Sequence, residues 1–224
     1  YKKHHIDKVN PVFVDMGELV KTALRVSHGD EVKHLENEWT HVLAQVRDLG
    51  NMLPILDTSL FHHARDRFYE GLGMAILVAM KTSKRIMLFD RTCHFVTLDG
   101  CPTLQSALAR LKPIYHEHHI GRSFDAVCKT VIRSLKDATI ASSEVSKMKL
   151  VFFTHYGDGE RSTIHKCIHD WFVECGYDVP PVFLFWRGEL SNATIHDDVQ
   201  TKDAVQTKDA VQTKDAVQTK EKPS

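Results

Sequence analysis

The sequence has no excess of charge of either sign, because 29 Lys and Arg residues balance 29 Asp and Glu residues. A protein that coats nucleic acid needs a basic excess or a basic stripe, so this balance argues against that class, although it leaves room for a local basic patch. Long hydrophobic runs are also missing: the longest, 72–80, is interrupted and too short to span a membrane. We therefore expect no membrane partner.

Cysteine is scarce, and its pattern excludes two classes of small domain. The five cysteines are odd in number and form no CxxC pair, whereas a disulfide framework or a zinc finger needs paired spacing. The first residues, YKKHH, do not resemble a secretory signal. These features predict reduced thiols in a cytoplasmic or nuclear protein that is not secreted.

The pattern that is present is an alternation of short apolar runs with stretches of helical periodicity. A turn at 90–92 joins two β-rich runs and predicts an antiparallel hairpin, while Asp30 is predicted to cap the second helix and Gly50 to close it. The predicted strands are 52–57, 85–89, 93–98, 149–154 and 181–186, and the predicted helices are 12–28, 30–46, 64–81, 103–111, 124–138 and 162–174. This alternation predicts an α/β fold with a mainly parallel, doubly wound sheet.

The C-terminal segment differs in kind from the rest of the chain. The hexapeptide DAVQTK occurs three times over 203–220, and its few small apolar side chains make no stripe on a helix and no core. We therefore predict a disordered repeat tail. The chain is divided into an N-terminal helical segment (1–50), an α/β domain (51–190) and the tail (191–224).

Four stretches of the sequence have the order and spacing of a known family. They are Trp39 with LPILDTS at 53–59, GLGMAIL at 71–77, LVFFTH at 150–155 and GYDVPPVFLFWR at 176–187. Together they resemble the von Willebrand A domains, in particular an uncharacterised branch related to the C-terminal half of the TROVE, or Ro-type, proteins. The resemblance implies a three-layer α/β sandwich, here without the last strand and helix of the family's fold.

The resemblance also implies a metal site, because von Willebrand A domains bind Mg²⁺ through Asp, Ser and Thr side chains of three loops. Hard cations prefer such oxygen ligands. Asp57 and Ser59 match the first loop, and Ser123 is the stand-in for the Thr of the second. Phe61 and His155 replace oxygen ligands of the family. The implied site is therefore degenerate, and we expect neither Mg²⁺ nor another cofactor in it.

For function, the resemblance implies non-catalytic binding of a protein partner through loops at the carboxyl edge of the sheet. The predicted partner-binding residues are Phe61, His62, His119, His155 and Asp158. An RNA-associated scaffold of the Ro type is one alternative, and a degenerate copy of a longer family member is another. All of these rest on analogy, because a fold does not by itself decide a function.

Zinc binding and catalysis are further alternatives on the same residues. Loop histidines could join Asp57 in a transition-metal site, although solvated loop histidines are the ordinary case. Gly71 and Gly73 lie inside a predicted helix, so close helix packing explains them better than dinucleotide binding. The sequence has no GxSxG or Walker A motif, and a triad of Asp57, Ser59 and His155 would lack an oxyanion motif. We therefore predict that the protein is not an enzyme.

Overall fold

The structure, a computed structural model, describes residues 14–116, 123–154 and 158–186, and of 158–165 it describes the backbone only. The helices in these ranges are α1 (Met16–Arg25), α2 (Asp30–Gln45), α3 (Leu60–His63), α4 (Arg65–Lys81), α5 (Leu104–His116), α6 (Phe124–Asp137), α7 (Ser142–Val145) and α8 (Asp158–Glu174). The strands are β1 (Met52–Asp57), β2 (Arg85–Phe89), β3 (Cys93–Thr97), β4 (Lys149–Phe153) and β5 (Val182–Trp186). No helix in the described ranges is long and apolar enough to cross a membrane.

The strands form one sheet in the order β3-β2-β1-β4-β5. The strands β2, β1, β4 and β5 run parallel, and β3 pairs antiparallel with β2 at one edge. Parallel neighbours require crossover connections, which the intervening helices supply. The predicted α/β class, with a mainly parallel sheet and one antiparallel hairpin, is confirmed, and its layers are those of a Rossmann-like sandwich.

Helices cover both faces of the sheet. Successive side chains of a strand point to opposite faces, so Leu150 and Phe152 of β4 pack with α6 and α8. Val151 and Phe153 join the other core, which contains side chains of α1, α2, α4 and α5. A strand buried on both faces needs an almost continuous apolar run, and KLVFF at 149–153 provides one.

Two glycines of α4 allow close approaches on opposite sides of that helix. A Cβ on Gly73 would lie 3.0 Å from Val20 Cγ2 and 3.2 Å from the carbonyl oxygen of Met16, both on α1. A Cβ on Gly71 would instead meet side chains of β1, β4 and β5 at 3.5–3.6 Å, which is ordinary contact. The prediction of close helix packing is therefore confirmed for Gly73, whereas Gly71 has room for a Cβ.

The ends of α2 were predicted wrongly. Asp30 is the first residue of the helix and not its cap; Gly29 occupies the N-cap position, and no side chain caps the helix there. The helix ends at Gln45 because the backbone of Val46 is extended. Gly50 lies in the loop that follows, where its φ of +68° is a conformation that favours glycine.

Two later helices are longer than predicted, and two short helices were missed. The helix α5 continues past Pro113 to His116, because buried Leu111 and Tyr115 extend its apolar face and offset the backbone hydrogen bond that proline removes. The helix α8 begins at Asp158 instead of 162, and neither α3 nor α7 was predicted. The predicted tail, 191–224, and the predicted loss of the family's last strand and helix fall outside the described residues.

Candidate functional site at the carboxyl edge of the sheet

The ends of β1, β2 and β4 lie side by side at one edge of the sheet, here called the carboxyl edge. Open α/β sheets bind ligands at this edge where the strand order reverses, which in this chain is between β1 and β4. Buried polar side chains concentrate there. Five of the six buried polar residues in the described chain belong to this edge, namely Asp57, Thr58, Ser59, Asp90 and Thr154. Because burying polar groups costs free energy unless they are hydrogen-bonded, this cluster marks the edge as the candidate site.

Asp57, the last residue of β1, is fully buried, and its carboxylate accepts three hydrogen bonds from residues in the described part of the chain. Oδ1 accepts from the backbone N–H of Ser59 at 3.0 Å and from the Ser59 hydroxyl at 2.6 Å. Oδ2 accepts from the Thr154 hydroxyl at 2.7 Å. The first two bonds fix the turn that follows β1, and the third joins that turn to the end of β4.

A second buried carboxylate, Asp90, organises the neighbouring strand end. The N–H and hydroxyl of Thr58 donate to the Phe89 carbonyl at 2.9 and 3.1 Å, and the same hydroxyl lies 3.4 Å from Asp90 Oδ2. Asp90 Oδ1 accepts from the N–H and hydroxyl of Thr92 at 2.8 and 3.1 Å. The Asp90 carbonyl accepts from the N–H of Ser123 at 2.8 Å. The ends of β1 and β2 are thus tied to the start of α6.

Phe61 anchors the loop after β1 in a cluster of aromatic rings. Its ring centroid lies 5.3 Å from that of Phe68 and 5.4 Å from that of Tyr115. The guanidinium carbon of Arg65 lies 4.9 Å from the Phe61 centroid. Burial raises the pKa of Tyr115 to about 12. The loop after β1 is therefore held from below both by hydrogen bonds and by packed aromatic rings.

Above this base, the chain exposes imidazole and cationic side chains. His62, His63 and Arg65 are exposed on α3 and at the start of α4. His116, at the end of α5, is also exposed and lies with its ring centroid 4.8 Å from that of Phe61. These side chains form a surface that a partner can reach, here called the first-loop surface.

The structure brings two of the three predicted metal-site residues into direct contact, namely Asp57 and Ser59. Ser123 lies at the same edge through its N–H bond to Asp90. Its hydroxyl oxygen, however, accepts from the N–H of Ala126 at 3.1 Å and so caps α6. Ser123 therefore has a local structural role in addition to its place at the edge.

The predicted partner-binding residues differ in what they offer. His62 is exposed, whereas Phe61 is buried and presents little of its ring to a partner. His119 and His155 lie outside the described residues. Of Asp158 only the backbone is described, at the start of α8.

Sequence reasoning missed Asp90 and Thr154. Each is the first residue after a buried strand of the parallel sheet, which places it beside Asp57 at the carboxyl edge. This position, directly after a buried strand, is the sequence signal from which both residues could have been predicted. The hairpin pattern predicts Asp90 only as a turn residue, and the resemblance points to His155 in the third loop.

Among the described residues, a cation beside Asp57 would find that carboxylate and the hydroxyls of Ser59 and Thr154, while the other carboxylate of the edge, Asp90, accepts hydrogen bonds from Thr92 at the neighbouring strand end. Mg²⁺ requires a near-octahedral shell of oxygens, and Ca²⁺ takes six to eight. Within the described ranges, no group of three or more His, Cys, Asp or Glu side chains is placed to hold a metal ion. This donor set fits Mg²⁺ poorly.

No protein-family model matches this chain, and no curated protein matches it.

Proposed function

We propose that this chain is a non-catalytic binding module that recognises a protein partner through the first-loop surface. The resemblance of its motifs to von Willebrand A domains, which bind at the corresponding edge, supports this proposal. So does the position of the surface beside β1 and β4, where open α/β sheets take their ligands.

The main support is that the exposed side chains of this loop lie on a backbone held by hydrogen bonds and by a buried ring. Three hydrogen bonds to Asp57 hold the turn after β1, and the buried ring of Phe61 holds the segment that follows. Arg65 lies over that ring, a contact that restricts its side chain before a partner binds. A pre-ordered side chain loses less entropy on binding, and Arg is enriched among the residues that dominate interface energies.

The burial of the polar cluster supports binding over catalysis. The Ser59 hydroxyl donates to Asp57, a pairing that nucleophilic catalysis also uses. A nucleophile has to come within about 3 Å of the substrate, however, and Ser59 and Asp57 are only 4% and 0% exposed. The cluster is therefore suited to ordering the loop.

Site-specific photo-crosslinking in the full chain tests the proposal. A photo-crosslinking residue at exposed His63 should give a discrete product with one protein partner. Arg65→Glu should weaken binding of that partner by about tenfold, the effect of losing one interface anchor. Arg47→Glu, at an exposed Arg in the loop before β1 at the opposite end of the sheet, is the matched control. Equal losses in the two variants, or no discrete product, would contradict the proposal.

We further propose that the metal site implied by the resemblance is degenerate and that binding needs no cofactor. The buried ring of Phe61, at a position where the family has a hydroxyl ligand, supports this. A ligand that binds the native state raises its melting temperature by mass action. Melts in millimolar Mg²⁺ and in chelator should therefore coincide, and a clear rise with Mg²⁺ would contradict the degenerate site.

An RNA-associated scaffold is the second candidate, because Arg65 and Arg67 are both exposed at the start of α4. The balanced net charge weighs against it. Binding of an RNA pool that falls steeply with salt and is lost in Arg65→Glu would favour RNA. Capture of one protein partner that is insensitive to salt would favour the first proposal.

A further inference from the structure

A groove of about 490 Å³ lies between the second halves of α6 and α8. The helix α6 begins next to Asp90 at the carboxyl edge, since Ser123 donates to the Asp90 carbonyl. The helix α8 follows β4 and leads into the start of β5, so it runs in the same direction. The groove therefore lies toward the opposite, amino edge of the sheet and is a separate surface from the one proposed above.

One wall of the groove is a row of cations on α6, formed by Lys129, Arg133 and Lys136, all of them exposed. At a rise of 1.5 Å per residue, the row is about 10 Å long, with spacings of about 6 and 4.5 Å. Among the described residues, none of the three forms an ion pair. Like charges so spaced on one helix repel each other, so the row is suited to carboxylates from outside.

Apolar surface lies beside the cation row. Ile132 and the half-buried Trp171 line the groove, and Lys129 Nζ lies 5.0 Å from the centroid of the Trp171 ring. Two of the four large exposed hydrophobic residues of the described chain, Ile140 and Val179, follow the ends of α6 and α8. The surface thus combines a basic row with an apolar strip at the same end of the molecule.

We propose that this groove docks an acidic amphipathic helix of a partner protein. Carboxylates at positions i, i+4 and i+7 share one face of a helix and repeat with the spacing of Lys129, Arg133 and Lys136. The apolar stripe next to them would cover the exposed part of Trp171, as in other helix-in-groove complexes.

The lining favours a peptide over nucleic acid. Lys129 lies over the Trp171 ring and limits its use as a stacking platform for a base. Asp137 and Glu174 also line the groove and would repel phosphates. A peptide helix avoids that repulsion by placing a Lys opposite Glu174, which would also set its direction in the groove.

The test uses the full chain and a fluorescently labelled helical peptide with Glu at i, i+4 and i+7 and Leu along the neighbouring stripe. Fluorescence anisotropy should show that this peptide binds and that its affinity falls as salt rises. A matched peptide with Lys in place of each Glu should bind at least about tenfold more weakly, because the three attractions become repulsions.

Paired charge reversals locate the binding site. Arg133→Glu combined with Lys136→Glu should weaken the acidic peptide by about tenfold or more. Arg47→Glu combined with Lys112→Glu makes the same change in net charge at exposed positions outside the groove and should leave the affinity unchanged. All four positions are exposed, so circular dichroism should show every variant folded.

Four results would overturn the proposal. They are no binding of the acidic peptide, equal losses in the two double variants, displacement of the peptide by single-stranded RNA at lower concentration than by unlabelled peptide, and self-association that the groove variants abolish but the peptide does not block. The third result would assign the groove to nucleic acid, and the fourth to a second copy of the chain.

Discussion

Asp57 accepts hydrogen bonds from three buried donors, so its replacement should cost more than the loss of a single acceptor. From the sequence, we expect Asp57→Ala to cost about 1 kcal/mol, the usual effect of one lost hydrogen bond. With the Ser59 N–H and hydroxyl and the Thr154 hydroxyl all left without their acceptor, we expect about 3 kcal/mol. Asp57→Asn keeps Oδ1 and should cost about 1 kcal/mol. Urea denaturation measures both, and equal costs would mean that Oδ1 does not hold the turn.

Glu70 should make the protein more stable at mildly acidic than at neutral pH. Burial raises the pKa of this carboxyl, nearby Asp15 raises it further, and Arg67 lowers it. Above the unfolded pKa of about 4.3, the unfolded chain ionises more readily than the native one, so the native state loses stability until the pH passes the raised native pKa. Glu70→Gln should therefore stabilise the protein at pH 7.

The pH dependence separates this effect from a packing effect. The advantage of Glu70→Gln should vanish as the pH falls to about 4, where the carboxyl is protonated in both states. Glu31→Gln, at an exposed position on α2, is the control and should show little such trend. A stabilisation by Glu70→Gln that is constant from pH 4 to pH 7 would contradict the ionisation argument.

The site residues that lie within one motif could be predicted from the sequence. Those that are brought together only by the sheet topology could not. Asp57 and Ser59 are neighbours in a recognisable run, and they do form a hydrogen bond. Thr154 lies 97 positions from Asp57, and only the pairing of β1 with β4 brings the two together. No local pattern in the sequence contains that pairing.

At the scale of one helix, Gly71 and Gly73 offer a matched pair of substitutions. Alanine in place of a helical glycine gains about 0.5–1 kcal/mol from backbone entropy. A Cβ on Gly71 meets only ordinary contacts, so Gly71→Ala should be neutral or stabilising. A Cβ on Gly73 would lie 3.2 Å from the backbone oxygen of Met16, so Gly73→Ala should push α1 away and cost about 1–3 kcal/mol. Denaturant melts of the two variants compare them, and the reverse order would contradict the α1–α4 packing.

The central strand β4 should tolerate truncation poorly. Phe152 is fully buried and stacks on Phe185 with ring centroids 5.1 Å apart. Phe152→Ala should cost about 3–5 kcal/mol and leave the protein unfolded or insoluble. Phe95→Ala on the edge strand β3, where the side chain is 41% exposed, should cost much less. Expression of soluble protein and urea midpoints measure the difference, and a tolerated Phe152→Ala would contradict the central position of β4.

Strands were easier to predict than helix ends because their signal is local. The runs at 52–57 and 149–153 are almost wholly apolar, as strands covered on both faces must be, and their bounds agree with the prediction to within a residue. The position at which α5 ends depends on whether Tyr115, beyond Pro113, can pack into the core. That outcome is decided by tertiary packing, which overrides the local signal of proline.

For the whole molecule, the alternation of strands and helices was enough to predict the class of fold. The alternation was not enough to predict how α1 and α2 pack against the rest of the fold. Side chains of α1 and α2 belong to the same core as those of α4 and α5. Their periodicity shows that each has an apolar face, but not which surface that face meets.

The two ends of the chain should therefore respond differently to deletion. Among residues 14–50, which the structure describes, the buried hydrophobic residues are Met16, Leu19, Val20, Ala23, Leu35, Trp39 and Val42. Burying one large apolar side chain stabilises a fold by about 1.5–3 kcal/mol, so losing this set would remove most or all of a stability that is typically about 5–15 kcal/mol. A chain that begins at residue 51 should thus be insoluble or unfolded.

A chain that ends at residue 190 should keep the melting temperature of the full protein, because the repeats of 191–224 have too few large apolar side chains to stabilise a core. Calorimetric melts of the two truncated proteins beside the full chain measure both effects. If the chain that begins at residue 51 folds with the full melting temperature, residues 1–50 form a separate unit. A large drop in the melting temperature on removing 191–224 would show that the repeats pack on the domain.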